Sequence, residues 1–137
     1  MSYDNDNIFA KILRQKIPCV KVYEDDKTLA FMDVMPQAEG HTLVIPKEPA
    51  ETLLELSAES ASHLITKVQL VANAVKQALG AQGITIFQLN GSAAGQTVPH
   101  IHFHIVPGSI LEAREHATHS SEPEQIKLIA EKIIACL

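Results

Sequence analysis

His100-Ile101-His102-Phe103-His104-Ile105-Val106 sets three histidines in strict alternation with apolar residues. A period of two is a strand signature, because successive side chains point to opposite faces. The three imidazoles are therefore expected on one face, with Ile101, Phe103 and Ile105 on the other. Histidine is the side chain whose ordinary pKa lies nearest neutrality, so three on one rigid surface point to chemistry there. Immediately upstream runs Gly91-Ser92-Ala93-Ala94-Gly95-Gln96-Thr97-Val98-Pro99, a loop of small residues. Pro99 favours an extended Val98 and is tolerated at a strand start.

The elements around this stretch are predicted from local signals. Asn7 can cap a short helix over 8–14 whose apolar side is Ile8, Phe9, Ile12 and Leu13. Residues 20–23 and 28–33 read as strands joined by the turn 24–27, which makes a hairpin. A loop over 35–40 leads into a third strand over 41–46, stopped by Pro46. Pro49 can start a short helical segment through Leu56. Ser57 suits the cap of a long helix running to about Leu79, with Leu64, Val68, Val71, Val75 and Leu79 stepping by three or four. Gly80 is a natural stop for it. Residues 84–89 form the fourth strand and the histidine segment the fifth. After a stretch over 108–122 with no clear period, Pro123 opens a last helix with Ile126, Ile129, Ile133 and Ile134 as its inner side. This order predicts an α+β fold: a five-stranded antiparallel sheet with two main helices, plus a C-terminal helix.

A chain of 137 residues is expected to form one domain, here 1–137, with a core over about 7–107 and a tail and helix over 108–137. Its 46% apolar content with few aromatics predicts an aliphatic core. A net charge of -5, without clusters of Lys and Arg, argues against nucleic acid and membrane surfaces as partners. No apolar run reaches membrane-spanning length. The start of the chain lacks the basic and apolar regions of a secretion signal, so a cytoplasmic location is expected. Cys19 and Cys136 lie far apart and form no CxxC pair, which indicates neither a disulfide framework nor a zinc knuckle.

Three uses of the histidines compete. As metal ligands they meet a distance problem, since alternate strand residues are ~6.6 Å apart, whereas tetrahedral zinc needs ligand nitrogens only ~3.3 Å apart. Asp33 or His41 could supply a further ligand. As catalysts, a neutral imidazole can attack phosphorus and form a covalent phospho-histidine, with its neighbours orienting it and donating to anionic oxygens. The loop over 91–97 suits close approach of a phosphate to backbone N–H groups. The third use is a purely structural histidine stripe.

Gln96-Thr97-Val98-Pro99-His100-Ile101-His102-Phe103-His104-Ile105-Val106-Pro107 resembles the signature of the histidine triad (HIT) family of nucleotide hydrolases and transferases. Ile8-Phe9-Ala10-Lys11-Ile12, Phe31-Met32-Asp33 with Pro36-Gln37, and His41-Thr42-Leu43-Val44-Ile45-Pro46-Lys47 resemble its N-terminal half, in the same order. The resemblance implies attack by the middle histidine, His102, on the α-phosphorus of a purine nucleotide conjugate. A nucleotidyl-histidine forms, and water then releases the nucleoside monophosphate. His104 would contact the scissile phosphate and leaving-group side, and His100 would be a more buried partner that orients the site. Gln96, Thr97 and Asn90 match polar positions near the phosphate, in a loop that includes Gly95. Asp33 matches a carboxylate that accepts both ribose hydroxyls. Ile8, Phe9, Ile12, Phe31 and Val34 would form an apolar slot for the base, and His41 matches a further histidine at the site edge. A homodimer is also implied, with no cofactor.

Two departures from the family pattern bear on these expectations. Some bacterial members carry zinc through a cysteine near the first helix. Here Ala10 follows Phe9 and Cys19 has no nearby partner, so no metal site is expected. Many members have an arginine shortly after the third histidine, where this chain has Pro107-Gly108 and then Arg114 only further on. Phosphoramidate or acyl-nucleotidylate substrates are favoured. A dinucleoside polyphosphate hydrolase and a purine-nucleotide-binding module with little turnover are the alternatives.

Overall fold

The computed structural model describes residues 3–109, 111 and 122–137. Five antiparallel strands form one sheet: β1 (Lys21–Glu24), β2 (Thr28–Met32), β3 (Thr42–Pro46), β4 (Ile84–Gln88) and β5 (Phe103–Pro107). Their order is β1-β2-β3-β5-β4, so the chain runs a meander, crosses over through a long helix, and returns between β3 and β4. Among the described residues three α-helices accompany the sheet, α1 (Ile8–Leu13), α2 (Ala58–Leu79) and α3 (Pro123–Ala135). The predicted α+β architecture is the one observed.

The helices form where their ends are satisfied. The Asn7 side chain accepts from Ala10 N–H at 2.9 Å and starts α1. Ser57 Oγ accepts from Ser60 N–H at 3.1 Å and starts α2. Glu48 holds that cap in turn, accepting from the backbone and hydroxyl of Ser57 and from the Ser60 hydroxyl. Gly80, at φ 61°, closes α2 in the left-handed conformation. Gly40 is favoured on two grounds: its φ of 91° suits glycine, and a Cβ there would come within 2.3 Å of Leu79 Cδ1, which would have to shift.

Both faces of the sheet are covered. On one, Leu64, Val68, Val71 and Val75 of α2 and Ile126, Ile129 and Ile133 of α3 pack on Ala30, Met32, Val44, Ile101 and Ile105. On the other, Phe9 and Ile12 of α1 pack on Leu29, Phe31, Leu43 and Ile45. This is why β2 and β3 are buried at every position. No described helix is long and apolar enough to cross a membrane.

Four local expectations need correction. The histidine strand is shorter than its alternation predicts: β5 begins at Phe103, and His100 to His102 lie ahead of it. There the backbone pairs outside the ladder, with His100 N–H donating to Val98 O and Ile101 N–H to Ala50 O, both at 2.9 Å. The two faces survive this, because Ile101, Phe103 and Ile105 all join the α2 side. The stretch after Pro49 is turns and bends, not helix. Its backbone is committed elsewhere, with Leu53 N–H donating to Asn90 Oδ1 and Ala50 O accepting from Ile101. Ile134 is 47% exposed, one step off the buried stripe of α3. His63 falls on the polar face of the predicted long helix, where solvent exposure is expected; it is instead half-buried with Nε2 3.0 Å from Asp25 Oδ2. His116, His119 and Arg114 lie outside the described residues.

Candidate active site

The three histidines meet distinct surroundings, and the partners of each ring fix where its proton sits. His102 Nδ1 is 2.7 Å from the carbonyl oxygen of His100. A carbonyl can only accept, so Nδ1 carries the proton and a neutral ring has its lone pair on Nε2. Phe9 packs edge-on against this ring with centroids 4.9 Å apart, which holds its plane.

His104 is set by a relay that starts at the backbone. Gln37 N–H donates to His41 Nδ1 at 3.0 Å, so that nitrogen is unprotonated. A neutral His41 therefore carries its proton on Nε2, which lies 3.0 Å from His104 Nδ1 and donates to it. His104 accepts on Nδ1 and so presents an N–H on Nε2. Its ring also stacks flat on Phe87, centroids 4.2 Å apart at 8°. The contact is built into the sheet, because Phe87 and His104 are register partners across β4 and β5. The His102 and His104 rings are 4.8 Å apart. The pair thus combines a lone-pair nitrogen with an N–H donor.

His100 is fully buried and anchored at both ring nitrogens. Nε2 donates to Pro46 O at 2.9 Å, and Nδ1 accepts from the Tyr3 hydroxyl. Burial holds its pKa below the ordinary histidine value, against the opposing pull of the Pro46 carbonyl.

Beside His102 opens a cavity of about 410 Å³ with mostly apolar walls. Ile8, Phe9, Ile12, Phe31, Asp33, Val34 and Thr97, all singled out from the sequence, line it. Phe9 and Phe31 meet edge to face, 5.4 Å apart. Ile8 and Val34 are more than half exposed, placing them at the rim. The sequence reading missed the opposite wall, Ile17, Pro18 and Cys19, with Leu43, Val98 and Met35. An apolar run in a short connector between helix and strand was the available signal. Asp33 stands where this cavity meets the histidines: Oδ1 accepts from Met35 N–H at 2.8 Å, and Oδ2 is 3.6 Å from His41 Nε2.

Two of the predicted phosphate residues have their side chains taken up in bracing. Gln96 Oε1 accepts from Gly91 N–H at 2.6 Å, and its amide donates to Glu51 O and Val98 O. Asn90 Oδ1 accepts from Leu53 N–H and from Gln88. The N–H groups of Ala94, Gly95 and Gln96 close the loop on itself, so its offer to an anion is narrower than its glycine content suggests. Gly95 adopts φ 102° to make this turn. Thr97 is exposed and lines the cavity.

An oxygen of Asp33 and ring nitrogens of His41 and His104 lie within 4.8 Å of one another, a spacing a metal ion could use. In the arrangement described, the His41 N–H is directed at His104, and a metal would have to replace that bond.

Residues 14–110 match the HIT domain family, and the chain belongs to it. It is 40% identical over 129 residues to the adenosine 5'-monophosphoramidase hnt1 of Schizosaccharomyces pombe, covering 92% of this chain and 94% of that protein. It is 42% identical over 103 residues to the adenylylsulfatase HINT3 of Arabidopsis thaliana, covering 75% of this chain, though these residues span only about half (52%) of that relative. Among solved structures, a Hit-like protein involved in cell-cycle regulation from Bartonella henselae, with an unknown ligand, superposes with a TM-score of 0.90 at 49% identity. That match covers 99% of this chain and 100% of the other.

Proposed function

We propose that this protein is a nucleotide hydrolase that cleaves purine nucleotide conjugates at the α-phosphate, with phosphoramidates and acyl-nucleotidylates favoured. The observation that carries the proposal is the opposite polarity of two adjacent rings, a lone pair on His102 Nε2 and an N–H on His104 Nε2, beside an apolar cavity of about 410 Å³. The apolar cavity suits a base, and Asp33 stands at its inner end, where ribose hydroxyls would follow. In the proposed reaction His102 Nε2 bonds to phosphorus as the bond to the leaving group breaks, and that group departs with its electron pair and takes up a proton. Water then attacks the same phosphorus and gives up one proton, which balances the one taken by the leaving group; the P–N bond breaks, and His102 recovers its lone pair while the nucleoside monophosphate leaves. His104 Nε2–H stabilises the phosphoryl oxygens as charge builds on them. Thr97 contacts the phosphate, while Gln96, Asn90 and Gly95 hold the loop that presents it. The relatives named for phosphoramidase and adenylylsulfatase activity support this choice of bond.

The test is a substrate panel read by release of AMP or GMP. Wild-type protein should release AMP from an adenosine phosphoramidate, and His102→Ala should not. Normal turnover by that variant would remove the mechanism. Faster cleavage of a diadenosine polyphosphate would put the dinucleotide reading first, and binding with no release from any conjugate would favour a binding module. We also propose a homodimer through β4, an edge strand whose exposed Ile86 lines a groove with exposed Ile65 of α2. A monomer in sedimentation at working concentration would exclude it.

A further inference from the structure

The segment before α1 reaches into the histidine cluster from behind. The Tyr3 hydroxyl lies against His100 Nδ1, 97 residues away, and the two rings meet edge to face at 5.6 Å. Because His100 Nε2 donates to the Pro46 carbonyl, Nδ1 must accept, and Tyr3 donates to it. Asn7 orients the phenol by donating from Nδ2 to the Tyr3 oxygen at 2.8 Å. The same amide donates to Asp4 O at 2.7 Å, and its oxygen caps α1. One asparagine thereby ties Tyr3 to the helix whose Phe9 packs on both His100 and His102.

We propose that Tyr3 is a positioning residue for His102, acting through His100 and held in place by Asn7. With its ring pinned at both nitrogens, His100 has its peptide fixed, and the carbonyl of that peptide receives the His102 Nδ1–H. Fixing this acceptor fixes the direction of the attacking Nε2. Tyr3 and Asn7 lie before residues 14–110, the span matched to the family. The proposal builds on the reading of His102 as the nucleophile.

The test compares wild type with Tyr3→Phe, which removes only the hydroxyl, and Asn7→Asp. Aspartate caps a helix as well as asparagine does, but its carboxylate accepts from Tyr3 and draws the phenol proton away from His100. In both variants kcat measured on fully folded protein should fall about five-fold, the size of one ordinary hydrogen bond, with KM near wild type and only a modest fall in the unfolding midpoint from the lost buried contact. Nitrogen-15 spectra should show the His100 Nδ1 signal losing the shift of a hydrogen-bonded acceptor, and the His102 Nδ1–H exchanging faster with water. Unchanged kcat with unchanged His100 and His102 signals would overturn the proposal. So would a loss of kcat that simply follows a fall in the unfolding midpoint. Wild-type protein that turned over no nucleotide conjugate would defeat the activity reading alone, and the two histidine signals would still decide the role of Tyr3.

Discussion

The two faces of this sheet are built from the same strands and sealed in opposite ways. On one face, two amphipathic helices lay aliphatic stripes on Val44, Ile101 and Ile105, with Val71, Val75 and Ile133 showing no exposure. On the other, α1 of six residues covers part of the sheet, and the rest holds an open cavity and four buried histidines. Dense apolar packing gives the core of the first face its stability, and such packing needs no directional contact. The second face depends on directional bonds, since each buried ring must have its polar atoms met and each partner also chooses the proton's position. The difference separates stability from chemistry within one sheet, so substitutions on the two faces should fail differently.

His102→Asn should lower turnover at least about a thousandfold, as removal of a nucleophile does, while leaving the unfolding midpoint nearly unchanged. Leu64→Ala on the opposite face should do the reverse, costing about 2–5 kcal/mol of stability for a fully buried leucine with KM unchanged. Urea unfolding and steady-state kinetics on both variants decide it. A large midpoint shift in the first, or a changed KM in folded Leu64→Ala, would break the separation of the faces.

The same division explains what the sequence reveals. The α2 face is legible because a stripe at 3.6-residue spacing, opened by Ser57 and closed by Gly80, needs no distant partner to be recognised. Strands β2 and β3 are legible as apolar runs between turns. The active face is legible in residue type and much less in geometry. Alternation places His100, His102 and His104 together, yet it extends the strand too far, because Ile101 N–H is claimed by Ala50 and His100 N–H by Val98. No local pattern announces an acceptor as distant in sequence as Ala50 is from Ile101. Gln96 and Asn90 are visible as polar loop residues, but whether an amide faces outward or braces its own loop depends on Glu51 and Leu53. Tyr3 sits in a polar leader that resembles a solvated terminus, and only the fold brings it to His100.

Between the extremes stands His41, buried like a core residue but acting through direction. His41→Asn cannot keep both the bond from Gln37 N–H and the donation to His104 Nδ1 in imidazole geometry. Release of the His104 tautomer should lower kcat by roughly ten- to a hundredfold, with a smaller change in KM. Loss of a buried polar contact would also cost some stability, so the diagnostic is kcat measured on fully folded protein. Wild-type kcat there would show that His104 holds its tautomer without the relay.

Asp25 carries directional bonding onto the helix side. It joins the turn between β1 and β2 to α2, accepting from Lys27 and Thr28 N–H, the Tyr23 hydroxyl and His63. Burial opposes its charge, but the bonds from Lys27, Tyr23 and His63 prevail and bring its pKa from 3.8 down to about 2. A depressed carboxylate contributes its stability above about pH 4 and loses it as the pH falls toward 2. The shift corresponds to about 2 kcal/mol. Stability measured from pH 6 to pH 2 should fall more steeply for wild type than for Asp25→Asn. Parallel curves would show that the cluster contributes nothing through charge.

A smaller effect is expected at Asp33, where the cavity meets the histidines. Asp33→Asn keeps an oxygen for Met35 N–H but replaces the second oxygen, the one facing His41, with an N–H₂ group. An amide can accept from one ribose hydroxyl where a carboxylate can accept from two. KM for a ribonucleotide conjugate should therefore rise about tenfold, as expected on losing a hydrogen bond to a charged group, and the preference over the 2′-deoxy analogue should narrow. The kcat should change less, because neither the His102 bond to His100 O nor the Gln37–His41–His104 relay passes through Asp33. If Asp33→Asn instead lowered kcat with KM and sugar preference intact, the carboxylate would belong with His41 among the groups that set the histidines, and the sugar would have to be held elsewhere.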